Sequence, residues 1–529
     1  MNRSLRKLGH RLGLAVAIVS TVIRLSAQEP AAFPATSPEA QGVSSQAIVN
    51  FLDAIPASGS EFHSFMILRH GYVIAQGWWS PYAPELKHTL YSLSKSFTAT
   101  AVGFAVSEKR LSVDDKVISF FPKTELPDTI SAYLRALRVR DLLTMSVGME
   151  PEPSAVVRSN VDWVKAFCAT PVVHEPGTKF LYSSVATYML SAIVQKVTGQ
   201  RVIDYLRPRL FEPLGISGMD WETSPDGINT GGWGLRLKTE DLAKFGELFL
   251  EKGKWKGRQV VPRDWIEAAS TKKIDQDPDA PQAKKDSSDW LQGYCYQMWR
   301  CRNNAYRGDG AFGQYVIVMP DQDAVIAITS ESRNMQSEIN LVWKYLLPGF
   351  HEKPFAEDVR VAGILRKKLG SLALPPEQAG NSGLQASLSG KTYAIERGKE
   401  LKSAHFEFKN GHCLLTLKTD TSSYLLSFGH GEWVKGSTDL PGPYLVTARG
   451  NRVGLAPYLI EGSYGWADEK TLELKLRYIE SPHTETIRCV FGEPAVAAAG
   501  QVQGPGQVQI ELSRSFDDVK VTGTGVLSH

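Results

Sequence analysis

The segment Tyr91-Ser92-Leu93-Ser94-Lys95 places a hydroxyl and an amine three residues apart, just before an apolar run that favours a helix. Residues three apart lie on one face of a helix, so the Lys95 amine can reach the Ser92 hydroxyl. Lys95 can act as a base if burial or positive neighbours lower its pKa from about 10.4 toward 7–8. Backbone N–H groups at the start of the helix can stabilise an oxyanion. The segment therefore predicts a nucleophilic serine paired with a lysine.

The S-x-x-K spacing is weak evidence alone, because it also occurs at Ser4–Lys7 and at Ser270–Lys273. The context of Ser92 distinguishes it from these two. The strand-forming pair Leu90-Tyr91 precedes it, and the apolar helix Phe97 to Val106 follows.

Two later segments carry further candidate groups. Tyr182, in Phe180 to Tyr188, lies at a loop-to-helix junction, where a tyrosine can pass a proton between nucleophile and leaving group; a packing role is the alternative. The segment Arg307-Gly308-Asp309-Gly310-Ala311-Phe312-Gly313 has glycines that let a strand edge approach a ligand. One of its N–H groups could complete an oxyanion hole, and a tight hairpin is the alternative.

In this order and spacing, the three segments resemble the serine β-lactamase-like superfamily. That superfamily includes class C β-lactamases, D-Ala-D-Ala peptidases, family VIII esterases and 6-aminohexanoate oligomer hydrolases. The resemblance covers about residues 35 to 348, and it includes Ser37 to Val43, Leu142 to Gly148 and Gly232-Trp233-Gly234-Leu235.

The resemblance implies a role for each candidate residue. Ser92 would be the acylated nucleophile, Lys95 its base and Tyr182 the proton shuttle. The resemblance leaves open whether Lys95 or Tyr182 is the general base. The N–H groups of Ser92 and Ala311 would form the oxyanion hole. No metal site and no cofactor are expected.

Two departures from the superfamily pattern affect substrate binding. Tyr182-Ser183-Ser184 stands where the family has Tyr-x-Asn, so Ser184 replaces an amide that can hold a substrate carbonyl or the lysine. Gly308-Asp309-Gly310 stands where the family has Lys-Thr-Gly or His-Thr-Gly, which removes a cation that meets a substrate carboxylate. Arg307 could substitute if its side chain faces the cleft, or Tyr306-Arg307-Gly308 could be the true register. The expected substrate-binding residues are Ser184, Arg307, Gly308, Asp309 and Gly310.

These features predict an exported serine hydrolase that cleaves ester or amide bonds of small substrates through an acyl-serine, of the esterase or 6-aminohexanoate-oligomer-hydrolase type. A β-lactamase or D-Ala-D-Ala carboxypeptidase is the alternative. A second alternative is a non-hydrolytic penicillin-binding sensor that is acylated and slow to release.

The elements around these motifs predict an α+β domain, of the β-lactamase/transpeptidase-like type by resemblance. A β-hairpin is expected over Phe62 to Trp79, turning at His70-Gly71. The expected helices are Ser94 to Val106, Ser183 to Val197, Thr239 to Glu251 and Pro262 to Ser270; the expected later strands are Tyr294 to Tyr306, Tyr315 to Pro320 and Ala324 to Thr329.

The pattern changes after Leu347. We expect a hydrolase domain over residues 33–348, a charged linker over 349–386 and an antiparallel β-barrel or sandwich over 387–491, which resembles the lipocalin-like domains appended to some family members. Asn410-Gly411 is a hairpin turn signal within it. Residues 492–529 are expected to be a low-complexity tail with a possible last strand.

The first residues predict an export signal. Residues 1–27 hold five Lys or Arg, no acidic residue and the apolar run Leu12 to Ile23. Basic residues followed by an apolar run are typical of a secretory signal peptide. The apolar run is too short to span a bilayer. Without those five, acidic side chains outnumber basic ones by two, so the net charge of +3 gives no reason to expect nucleic acid as a partner. We expect a small-molecule substrate, a periplasmic or secreted location and no stable membrane span after cleavage.

The five cysteines are expected to be buried free thiols.

Overall fold

The computed structural model describes residues 33–396, 401–446, 457–492, 494–496 and 502–528. The predicted signal segment, residues 1–27, lies outside the described residues. The α-helices of the described part are α1 Ser45–Ala54, α2 Ser94–Ser107, α3 Ala132–Ala136, α4 Val139–Leu143, α5 Ser154–Arg158, α6 Trp163–Ala169, α7 Ser184–Thr198, α8 Val202–Leu206, α9 Thr239–Leu250, α10 Arg263–Ser270, α11 Gln282–Ser287, α12 Met335–Leu341, α13 Val359–Leu369 and α14 Gln385–Leu388.

Strands in the same residues build two main sheets and three small ones. They are β1 Glu61–Arg69, β2 Tyr72–Trp78, β3 His88–Thr89, β4 Asp220–Trp221, β5 Leu235–Leu237, β6 Lys254–Trp255, β7 Arg258–Gln259, β8 Trp299–Arg300, β9 Tyr306–Gly310, β10 Gln314–Met319, β11 Ala324–Glu331, β12 Lys391–Ile395, β13 Ser403–Lys409, β14 His412–Lys418, β15 Ser423–His430, β16 Val434–Thr438, β17 Tyr458–Trp466, β18 Thr471–Tyr478, β19 Thr484–Phe491, β20 Pro494–Val496, β21 Val502–Pro505, β22 Gln507–Arg514 and β23 Lys520–Leu527.

The first main sheet has six antiparallel strands in the order β2-β1-β11-β10-β9-β8. Its first hairpin is the predicted one. His70 and Gly71 form the turn with φ angles of +51° and +74°, the left-handed backbone that two-residue hairpin turns require. Since β1, β10 and β11 are almost completely buried, helices must cover both faces of this sheet.

Helix α9 packs against β10 and β11, where Gly246 lets the helix approach closely: a Cβ on it would lie 2.4 Å from a methyl group of Val325. Helices α2 and α7 pack on each other in a helical lobe, and α2 is buried on nearly every side. The four predicted helices agree with α2, α7, α9 and α10 to within one residue at each end. The α+β prediction is therefore confirmed.

The prediction of one strand from Tyr294 to Tyr306 is wrong. The chain turns back within this stretch, since the N–H of Cys295 bonds to the carbonyl of Met298 at 2.9 Å. Trp299–Arg300 forms the short strand β8, and Tyr306 begins the separate strand β9. A second turn follows at Asn303-Asn304, where both residues have positive φ angles of 56° and 54°. Asparagine tolerates this conformation, so the pair was a turn signal that the alternation of apolar residues obscured.

The structure adds a helix to the segment predicted as a charged linker, residues 349–386. This segment contains α13, which begins after the N-cap Asp358 and packs on α1. Its buried side chains Val361, Ala362 and Leu365 follow helical spacing, and Leu365 joins the core of the hydrolase domain.

The second main sheet is a closed barrel. Its strands follow the order β15-β14-β13-β12-β23-β22-β19-β18-β17-β16, and a parallel pairing of β15 with β17 closes it. Aromatic and aliphatic side chains fill the interior, including Phe406, Tyr393 and Phe491, which lie in mutual ring contact.

The predicted end of the β domain at residue 491 is wrong. Strands β22 and β23 lie in the expected low-complexity tail, and they fill the space between β19 and β12. Val508 and Ile510, two residues apart, point into the barrel core. These strands acquire partners on both sides only when the barrel closes, which a local pattern does not reveal.

The five cysteines are free and buried, as predicted. In the described residues, no helix is both long enough and apolar enough to cross a membrane.

Candidate active site

The Ser92 and Lys95 side chains meet at the start of α2. Ser92 lies in a single 3-10 turn, Tyr91–Leu93, that leads directly into the helix. The Lys95 Nζ lies 3.0 Å from Ser92 Oγ, 3.1 Å from Ser184 Oγ and 2.7 Å from the carbonyl oxygen of Gly232. The predicted pair is therefore within hydrogen-bond distance, and Ser184 holds the lysine.

Burial lowers the pKa of the Lys95 amine from 10.5 to about 7, although the charges of Asp309 and Glu152 act in the opposite direction. A large share of the amine is therefore neutral at neutral pH. A neutral amine keeps two hydrogens, which Ser184 Oγ and the carbonyl of Gly232 can accept. Its lone pair then remains for the hydroxyl of Ser92.

Tyr182 lies two residues before α7, whose N-cap is Ser183. Its ring stacks on Trp299 at 5.5 Å and lies 4.8 Å from Lys95 Nζ, while its hydroxyl hydrogen-bonds the side chain of Ser92. Burial raises the pKa of Tyr182 above its usual value of 10. The phenol is therefore protonated at neutral pH, and it can donate a hydrogen bond beside Ser92.

Successive side chains of β9 point to opposite sides of the sheet, so only every second residue of the third segment faces the Ser92 segment. Gly308 and Gly310 face the Ser92 segment, because a Cβ on Gly308 would lie 2.8 Å from Ser96 Oγ and one on Gly310 would lie 2.0 Å from the carbonyl oxygen of Leu90. Only glycine allows the strand to approach so closely. Arg307 and Asp309 point to the opposite side.

The expectation that Arg307 binds substrate is wrong. Its side chain is 0% exposed, and its guanidinium lies 2.8 Å from the carboxylate of Asp309 and 4.2 Å above the ring of Trp290. Asp309 is buried too, and it accepts a further hydrogen bond from Trp299. The ion pair thus lies beneath Trp299, on which the ring of Tyr182 stacks. The charge of Asp309 also balances the positive charge of Arg307, which was the cation expected to meet a substrate.

Ala311 begins the turn between β9 and β10, directly after Gly310. Two neighbours of the candidate N–H donors have unusual backbones: Tyr91, before Ser92, has φ +47°, and Phe312, after Ala311, has φ +68°. Bulky residues rarely adopt this left-handed region, and such outliers cluster at functional sites.

Several contributors to this site were not predicted. Trp299 lies in the stretch predicted as one strand, and the sequence around Glu152 has no recognisable pattern. Gly232 lies in a segment that the family resemblance includes, but nothing in the sequence indicates that its carbonyl accepts a hydrogen bond from Lys95. Within the described residues, no group of three or more His, Cys, Asp or Glu side chains could hold a metal ion.

A six-stranded antiparallel sheet, a helical lobe and a serine–lysine pair at the head of a buried helix define the β-lactamase/transpeptidase-like fold. The β-lactamase family model matches residues 60–345, more than half of the chain, so the chain belongs to this family.

Similar proteins carry several names. A 6-aminohexanoate-dimer hydrolase from Paenarthrobacter ureafaciens is 26% identical over 287 residues, 50% of this chain and 71% of that protein. An Escherichia coli K12 protein, named as a candidate D-alanyl-D-alanine carboxypeptidase, is 30% identical over 143 residues, 24% of this chain and 33% of that protein. The structure of an octameric penicillin-binding protein homologue from Pyrococcus abyssi is 17% identical, covers 90% of this chain and 99% of that one, and has a TM-score of 0.45.

Proposed function

We propose that this protein is a serine hydrolase that cleaves ester or amide bonds of small substrates through an acyl-Ser92 intermediate. The observation that carries the proposal is the buried Lys95 amine, 3.0 Å from Ser92 Oγ, with its pKa lowered to about 7. A base with a pKa near the working pH combines a populated basic form with useful proton affinity.

The lowered pKa of Lys95 and the raised pKa of Tyr182 support assigning Lys95 as the general base and Tyr182 as the proton donor. Neutral Lys95 takes the proton of Ser92 as Oγ attacks the carbonyl carbon, and in this proposal the backbone N–H groups of Ser92 and Ala311 bind the oxyanion. Tyr182 is protonated at rest, so it donates its proton to the leaving oxygen or nitrogen as the acyl bond breaks. The Lys95 ammonium then returns a proton to Tyr182. Water hydrolyses the acyl-enzyme by the reverse proton path and releases the acid.

The charge of the third segment bears on substrate class. By the family resemblance, Gly308 stands where relatives have the lysine that meets a substrate carboxylate, and the neighbouring Arg307 is buried in an ion pair with Asp309 instead of facing the cleft as a cation. This supports esters and linear amides, such as those cleaved by an esterase or a 6-aminohexanoate-oligomer hydrolase, over β-lactams and D-Ala-D-Ala peptides. The named Paenarthrobacter relative is in keeping with this choice.

Export is part of the proposal, and the sequence of residues 1–27 supports it. Expression in a bacterial host with N-terminal sequencing of the periplasmic fraction tests it. A mature chain that begins near Gln28 supports export, whereas an intact N-terminus in the cytoplasm contradicts it.

The main test compares the parent with Ser92→Ala on p-nitrophenyl esters, a 6-aminohexanoate dimer, nitrocefin and a D-Ala-D-Ala peptide. We expect turnover of the ester or the dimer, and we expect Ser92→Ala to abolish it. Ser270→Ala is a matched control, because Ser270 lies in another S-x-x-K segment and its hydroxyl bonds backbone carbonyls of its own helix. Unchanged hydrolysis by Ser92→Ala would contradict the proposal, and stoichiometric labelling without turnover would favour the acyl-accepting sensor.

A further inference from the structure

We propose that the β domain completes the active site: the turn between β18 and β19, through His483, holds the backbone on both sides of the oxyanion hole. This inference rests on the proposed function, since it assigns the role of a positioning residue to His483 in the same reaction. It begins from the two residues with strained backbones beside the candidate N–H donors, Tyr91 and Phe312.

A hydrogen-bonded chain runs from the β domain to Tyr91. The Tyr91 hydroxyl lies 2.5 Å from His483 Nε2, and His483 Nδ1 lies 2.6 Å from a carboxylate oxygen of Glu331 at the end of β11. All three side chains are buried or nearly so. The residue that precedes the nucleophile is therefore tied to a strand of the hydrolase sheet through a histidine of the other domain.

The direction of these bonds follows from a fourth group. The backbone N–H of Leu445 donates to the Tyr91 oxygen at 3.2 Å, so the Tyr91 O–H is free to donate to His483 Nε2. The Nδ1–H of a neutral imidazole then donates to Glu331. Burial lowers the pKa of His483 although Glu331 raises it, and this favours the neutral ring that the bonding pattern needs.

Phe312 meets the same imidazole from the other side of the oxyanion hole. Its ring stands edge-on to His483 at 4.8 Å, and it also contacts Tyr91 at 5.6 Å and Phe516 of the β domain at 5.6 Å. One histidine thus touches the residue before Ser92 and the residue after Ala311. A left-handed φ at a bulky residue persists only where surrounding contacts hold it, and both Tyr91 and Phe312 have such contacts with His483.

The turn that carries His483 is itself fixed to the hydrolase domain. The Glu480 carboxylate pairs with Arg236 at 3.0 Å, and the Glu480 carbonyl accepts the N–H of Thr89 at 2.9 Å. The Ser481 carbonyl accepts the hydroxyl of Tyr82 at 2.9 Å. The histidine is therefore held at its position by bonds that do not involve the candidate catalytic residues.

Tyr91→Phe is the mildest perturbation, because it removes only the hydroxyl. His483→Leu removes both imidazole bonds and keeps an apolar side chain against Phe312. We expect each variant to lower kcat for a p-nitrophenyl ester by about tenfold to 100-fold with KM within about twofold of the parent, because the donors bind the transition state rather than the ground state. The double variant should lose no more than the worse single variant, since both break one chain.

His405→Gln is the matched control: His405 bonds Thr392 at 2.9 Å in the barrel, and this variant should keep the parent kcat. Melting temperatures establish that each variant is folded, and if His483→Leu does not fold, Tyr91→Phe decides alone. A kcat within twofold of the parent in folded Tyr91→Phe, or losses that multiply in the double variant, would overturn the inference. Ser92→Ala in the same assay separates the two claims: if it is inactive while Tyr91→Phe is unchanged, only the role of His483 fails.

Discussion

The pH dependence of kcat/KM is the most quantitative consequence of the buried lysine. With a pKa of about 7, Lys95 is half neutral at pH 7, whereas a lysine at its ordinary value of 10.5 would be neutral in about one molecule in 3,000. Burial therefore raises the share of usable base about 1,500-fold. Since the base must be neutral to act, kcat/KM should rise about tenfold per pH unit below pH 7 and level off above about pH 8.

Glu152 allows the cause of this profile to be tested. Its negative charge raises the pKa of Lys95, and its carboxylate accepts hydrogen bonds from Ser183 and Ser154 at 2.6 Å each. Glu152→Gln retains an acceptor for these hydroxyls but removes the charge. We therefore expect the acidic limb of the profile to move to lower pH.

The assay is steady-state hydrolysis of a p-nitrophenyl ester at several values between about pH 5 and about pH 9. Glu267→Gln serves as the control, because Glu267 is exposed, pairs with Arg263 and should leave the profile unchanged. A parent profile without an acidic limb, or a limb that moves to higher pH in Glu152→Gln, would refute the assignment of Lys95 as the base.

Three further substitutions probe the surroundings. Tyr182→Phe should lower kcat by about 10²–10⁴-fold with little change in KM, and steady-state kinetics near the parent values would contradict its role as proton donor. Gly310→Ala would put a Cβ 2.0 Å from the carbonyl oxygen of Leu90, so we expect loss of ester hydrolysis; parental activity would exclude this close approach. Arg307→Met leaves the charge of Asp309 buried without its partner and should lower the free energy of unfolding in urea by about 3–5 kcal/mol, whereas Asp309→Asn added to it should recover part of the loss.

Local patterns predicted the parts of the site that local geometry determines. Ser92 and Lys95 meet because they are three apart at the start of one helix, and the His70-Gly71 hairpin follows from its turn residues. The side of the sheet on which the Arg307 side chain lies was not predictable, because it depends on how β9 aligns with the Ser92 segment, and the sequence left two registers of this segment open. The buried pair with Asp309 appears only once that alignment exists.

Contacts between residues far apart in the sequence could not be predicted for a related reason. His483 and Tyr91 are 392 residues apart, and they meet only when the β domain packs against the hydrolase domain. Likewise, β22 and β23 lie where the sequence predicts a low-complexity tail with a possible last strand, because their pairing depends on closure of the barrel. In both cases the decisive interaction is tertiary, although the alternation of Val508 and Ile510 in β22 was a local strand signal.

The most direct test of the central claim is mass spectrometry of the protein after reaction with a fluorophosphonate or a slowly released activated ester. We predict a single covalent adduct per chain, located on the peptide that contains Ser92 and absent from Ser92→Ala. An adduct on another residue, such as Ser270, or an equal adduct on Ser92→Ala would contradict the acyl-Ser92 mechanism.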